Sequence, residues 1–108
     1  MAGVADEAAP ATVEAAPDEA GTKVVNIGGE LDIASVPAVE HELEPIIASE
    51  PERLAFNLSR VTFMDSSGIA MLLRIAERVP AIEVREPSAS VQLVIGATGL
   101  SDFLHVDL

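Results

Sequence analysis

One junction fixes much of what this chain can become. Leu54-Ala55-Phe56-Asn57-Leu58 is apolar apart from Asn57 and reads as a β-strand. Downstream, Ile69, Leu72, Leu73 and Ala76 fall at i, i+3, i+4 and i+7, which is one face of an α-helix. Between the two lies Asp65-Ser66-Ser67-Gly68. A strand therefore hands over to a helix there, and an Asp or Ser at such a point accepts hydrogen bonds from the free N–H groups of the first turn. A cap needs only one short polar side chain, and three are present. Gly68 stands where a capping box would carry Glu or Gln, and inside a first turn it costs about 1 kcal/mol relative to Ala. Helix stability is given up for small side chains and open backbone. That combination suits close approach by another molecule or by a phosphate, which the free N–H groups and the positive end of the helix dipole tolerate.

The flanking segments supply the layers. Thr22-Lys23-Val24-Val25-Asn26-Ile27 alternates as a strand that Gly28-Gly29 should end. Ser35-Val36-Pro37 opens a helix, with Ser35 or Asp32 as cap and Val36, Val39, Leu43 and Ile46 or Ile47 as its buried stripe. Pro45 should kink or close that helix. The helix after Gly68 should reach about Val79, where Pro80 stops it, and Ala81–Arg85 alternates as a third strand. A last helix runs from Pro87-Ser88 to about Ala97, with Gly99 as left-handed cap. Phe103, Leu104 and Val106 should pack the C-terminus down, with His105 exposed. Strand, helix, strand, helix, strand, helix predicts an α/β domain with a parallel or mixed sheet. It should span residues 22–108. Residues 1–21 are rich in Ala, Pro, Glu and Asp and should be a flexible acidic tail.

Composition narrows the function classes. The chain has no cysteine, so disulfides, thiolate metal sites and thiol nucleophiles are excluded. Aromatic residues make up 3%, so the core must be built from Val, Ile, Leu and Ala. A formal net charge of −12, with six scattered Lys and Arg, disfavours nucleic acid and anionic membranes. With no signal peptide and no apolar run of membrane-spanning length, the chain reads as a cytoplasmic protein with no metal and no cofactor.

Phe63-Met64-Asp65-Ser66-Ser67-Gly68-Ile69 resembles the phosphorylation-site motif of STAS domains, specifically the bacterial anti-sigma factor antagonists. Gly29-Glu30-Leu31-Asp32 is similar to a second signature of that family, and Thr98-Gly99-Leu100 to a weaker third. The resemblance covers residues 22–108. It implies a mixed sheet with its helices mainly on one face. It also implies phosphorylation of Ser66 by an anti-sigma factor serine kinase, which binds the unmodified form, and a serine phosphatase that reverses the modification. The partner surface would include Asp32, Asp65, Ser67 and Gly68. Ala70 and Met71 lie off the Leu72/Leu73 stripe, so either they touch the partner or the helix is buried on more than one side.

Two other functions fit parts of the sequence. Small STAS subunits of lipid-transport ABC assemblies contact an ATPase and carry a similar Asp-Ser/Thr-x-Gly loop, but the second serine, Ser67, and the intact Phe63-Met64-Asp65-Ser66-Ser67-Gly68 string favour the antagonist. A serine hydrolase is poorly supported: there is no Gly-x-Ser-x-Gly elbow, and only His41 and His105 are available as base.

Overall fold

The computed structural model describes residues 11–99 and the backbone of 105–107. Five strands and three helices follow the order β1 (Thr12–Glu19), β2 (Thr22–Leu31), α1 (Val36–Ala48), β3 (Arg53–Met64), α2 (Ser66–Ala76), β4 (Ala81–Arg85), α3 (Ala89–Thr98) and β5 (His105–Asp107). The strands lie side by side in chain order. β1 is antiparallel to β2, and β2, β3, β4 and β5 are successively parallel. The sheet is therefore mixed, and each parallel step is bridged by a helix.

The sheet is covered by helices on one face. Val25, Phe56 and Val84 are matched in register across β2, β3 and β4. All three are fully buried, in the cluster that also holds Val39 and Leu43 of α1, Leu72 and Ile75 of α2, and Val91 and Ile95 of α3. The alternate row, Asn26, Asn57 and Arg85, is polar and only half-buried. A strand presents successive side chains to opposite faces, so the apolar row faces the helices and the polar row faces water.

Thr12–Glu19 is not a tail. It forms the edge strand, with Val13 opposite Ile27 and packed against the core. The connection is a tight hairpin in which Ala20 and Gly21 both take positive φ, 49° and 88°, as a I′-type turn requires. Composition misled because Ala, Pro, Glu and Asp are poor strand formers, whereas pairing with β2 and burial of Val13 decide the outcome. Pro17 is tolerated because it lies on an edge strand, beside a register shift.

Gly28-Gly29 does not end β2 either. The strand continues to Leu31 through register shifts on both sides of the pair, and Gly29 has φ 87°. A Cβ on Gly28 would lie 3.1 Å from both Arg60 Cβ and Thr12 Oγ1, so the small residue lets three strands meet there. Pro45 sits inside α1 without ending it: Ile47 is buried one half-turn later, and that packing holds the last turn in place. α2 closes at Ala76, short of Val79, while β4, the start of α3 at Ser88 and its Gly99 cap match the sequence reading. The packing expected of Phe103, Leu104 and Val106, and the exposure expected of His105, lie outside the described residues.

Candidate functional site

Two strand ends meet at one edge of the domain. Leu31 of β2 pairs with Met64 of β3, so the next residues, Asp32 and Asp65, leave adjacent strands together. The Asp65 N–H donates to the Leu31 carbonyl over 3.2 Å, which ties the two signatures to each other.

Asp65 has extended backbone and caps α2: its Oδ1 accepts from the Ser67 N–H at 2.8 Å. Its carbonyl accepts from the Gly68 N–H at 3.0 Å. Ser66 is the first helical residue and is exposed, and its hydroxyl forms no hydrogen bond with the described residues. Ser67 is half-buried.

Asp32 organises the neighbouring turn. Its Oδ1 accepts from the N–H groups of Ala34 and Ser35 at 3.0 and 2.9 Å. Ser35 occupies the cap position of α1 without capping it. Its hydroxyl instead donates to the Glu30 carbonyl at 2.6 Å and accepts from the Asp32 N–H at 3.1 Å. The turn is thus closed by its own polar groups, and Asp32 stays half-buried beside the Ser66 loop.

The structure separates the other expected contact residues. Ala70 is half-buried and lines a cleft between α1 and α2 with Ser67. Met71 is fully buried in the core. It lies off the Leu72/Leu73 stripe because α2 is covered on more than one side, so it has no surface to offer a partner. Gly68 is buried too. A Cβ there would meet Met64 Cγ at 2.9 Å and Leu31 Cβ at 3.3 Å, so Gly68 lets α2 start directly on the ends of β2 and β3. Its smallness serves packing beneath the loop rather than contact above it.

Two apolar residues near the loop were not foreseen as contacts. Ile33 is 78% exposed and Phe63 is 47% exposed. Ile33 could have been noticed as a large apolar residue between the end of one hydrophobic pattern and the start of the next. Phe63 belongs to the recognised motif but fits neither the strand stripe nor the helix stripe.

Along the same two helices, Arg74 pairs with Glu40 at 2.9 Å and Arg78 with Glu44 at 2.7 Å. The hydrogen bond from Arg78 holds the Glu44 carboxyl below its ordinary range, and the bond to Glu40 raises Arg74. Both pairs are exposed, so they orient α1 and α2 more than they stabilise them. Among the described residues, no cluster of His, Cys, Asp or Glu could hold a metal ion. No helix among them is long and apolar enough to cross a membrane.

A mixed sheet with helices on one face, and a capped serine loop pinned to the end of β2, define an α/β domain of the STAS class. The STAS domain family model matches residues 15–108, and the chain belongs to that family. The anti-sigma-B factor antagonist of Staphylococcus epidermidis is 30% identical over 87 residues, covering 77% of this chain and 81% of that one. The anti-sigma-F factor antagonist RsfB of Mycobacterium tuberculosis is 34% identical over 62 residues, 57% of this chain. That match spans about half of RsfB, 51% of its length. The crystal structure of an anti-sigma factor antagonist from Mycobacterium paratuberculosis superposes with a TM-score of 0.80 at 27% identity, covering 89% of this chain and 84% of that one.

Proposed function

We propose that this chain is an anti-sigma factor antagonist switched by phosphorylation of Ser66. In the unmodified form, the Ser66 loop and the adjoining start of α2 dock onto an anti-sigma factor serine kinase, which then releases its sigma factor. Transfer of phosphate from ATP to the Ser66 hydroxyl ends the docking, and a serine phosphatase restores it. The protein acts in the cytoplasm as a binding module rather than as an enzyme.

The observation that carries this reading is an exposed serine hydroxyl at the first residue of a helix whose cap, Asp65, is already in place. A visiting active site has access to it without any rearrangement. Phosphorylation adds about −1.5 to −2 charges at neutral pH. Asp65 is adjacent in the chain, and Asp32 leaves the paired strand beside it. Covering such a loop with protein would bury a dianion among carboxylates, which opposes docking. In free solution the helix dipole offsets part of the same charge, so the fold persists.

The test pairs binding with modification. Wild-type protein incubated with its kinase and ATP should gain one phosphate, located at Ser66 by mass spectrometry. Ser66→Ala should keep wild-type affinity in the presence of ATP, and Ser66→Asp should bind weakly. Equal affinity of the two variants, or phosphate at another residue, would overturn the proposal.

A further inference from the structure

Beside the candidate site, α1 and α2 diverge to leave a cleft of about 240 Å³. It is lined by Ile33, by Pro37 of α1, by Ser67 and Ala70 of α2, and by the Glu40–Arg74 ion pair between the two helices. Pockets that enclose whole small-molecule ligands start at about 300 Å³. This one has room for a side chain.

We infer that the Ile33–Ala70 cleft is an anchor pocket for the anti-sigma factor kinase and that Ile33 is a main determinant of its affinity. The inference rests on the function proposed above and adds to it the place where binding energy is concentrated.

Three observations select this occupant. The first is continuity: Ser67 lines the cleft and directly follows Ser66, so a protein that brings its active site to Ser66 comes within one residue of the cleft. A stable interface covers about 800 Å² per partner, far more than the loop alone provides. The second is the distribution of exposed apolar groups. Among the described residues the large exposed hydrophobics are Ile33, Phe63 and Leu93. Ile33 and Phe63 border the Ser66 loop in sequence and by strand pairing, whereas Leu93 lies on α3. The third is charge. Glu30, Asp32 and Asp65 stand around these apolar residues, so the complementary surface is an apolar side chain rimmed by Lys or Arg. A few buried anchors with a polar rim carry most of the affinity of such interfaces.

The experiment measures calorimetric affinity for the purified cognate kinase, loaded with ADP so that no phosphate is transferred. Ile33→Asp should lose tenfold or more, because a carboxylate would enter an apolar contact already ringed by acids. Ala70→Leu, which fills the cleft from its own wall, should lose a comparable amount. Leu93→Asp, an equally exposed change on α3, should bind as wild type. Thermal unfolding should show Ile33→Asp as stable as wild type, since Ile33 is exposed. Wild-type affinity for both Ile33→Asp and Ala70→Leu would overturn the anchor pocket and leave the Ser66 switch intact. Equal losses for Ile33→Asp and Leu93→Asp would also overturn it, by showing a general effect of added charge. Wild-type protein that binds no anti-sigma factor kinase at all would overturn both readings.

Discussion

The amide of Asp65 donates to the carbonyl of Leu31 at 3.2 Å, across the last pair of the β2–β3 ladder. One hydrogen bond thereby joins the two signatures, fixing the Asp65 cap and the Asp32 turn as a unit. The serine between cap and helix is consequently presented by rigid elements on both sides. A phosphate added there should change the charge of a preformed surface and leave the backbone in place.

Asp65 therefore has separable roles as cap and as charge. Asp65→Asn keeps an oxygen that accepts from the Ser67 N–H and should unfold within a few tenths of a kcal/mol of wild type. Asp65→Ala removes it and should lose about 1 kcal/mol. If carboxylate crowding drives release, phosphorylated Asp65→Asn should retain more kinase affinity than phosphorylated wild type. Urea unfolding and calorimetric binding, done on both forms, check the two effects.

Gly68→Ala tests whether that glycine serves packing. Ala is the better helix former by about 1 kcal/mol, so an open site would gain stability. The new methyl group would instead press on Met64 Cγ and Leu31 Cβ. Overpacking of this kind costs about 1–3 kcal/mol, and the nearest atom, Met64 Cγ, is not the free end of its side chain. The expected result is net destabilisation by about 1 kcal/mol. The added Met64→Ala change should cost less in the Gly68→Ala background than alone, because it removes the crowding group. Urea titrations of the four proteins close that cycle.

The central strand, the junction and the following helix were legible because their physics is local. Period, cap and glycine are all readable within a short stretch around Ser66. The start of α3 at Ser88 and its Gly99 cap were legible for the same reason. What escaped depended on distant partners. β1 has weak strand propensity and becomes a strand only because β2 offers it an edge, and its Ala20-Gly21 turn lacks the usual Asn-Gly or Asp-Gly signal. Gly28-Gly29 looked like an ending because a β-bulge and a strand end use the same residue. The sequence leaves Met71 open between partner contact and burial, because one helical stripe does not reveal whether a helix is covered on a second side.

Removal of residues 1–21 should follow the structure rather than the composition. A detached tail could be deleted without effect. Here deletion removes Val13 from the core and strips the ladder partner from β2. The truncated protein should be less stable by about 2 kcal/mol or more, given the usual value of buried apolar side chains. The bared β2 edge should also promote association. Thermal unfolding and light scattering against the full chain check both.

The helix-free face of the sheet makes a separate prediction about acid. Glu83 accepts from Arg85 at 2.9 Å and from Arg53 at 3.2 Å, and Arg85 also reaches Glu19 at 2.8 Å. Charges from β1, β3 and β4 are thus joined in one chain. The Arg85 hydrogen bond foremost, and Arg53 after it, hold the Glu83 carboxyl below its ordinary value of 4.5. A carboxyl whose folded pKa is depressed contributes its full stability above the unfolded value and loses it as pH falls through the folded one. Glu83→Gln should therefore be less stable than wild type at neutral pH, by no more than about 1 kcal/mol because Arg53 is exposed and Arg85 still reaches water in part. The gap should persist down to about pH 4.5 and close below it as wild-type Glu83 takes up its proton. Denaturant unfolding of both proteins from pH 7 to pH 3 measures it. A gap that stayed constant across that range would mean that Glu83 acts through packing and not through its charge.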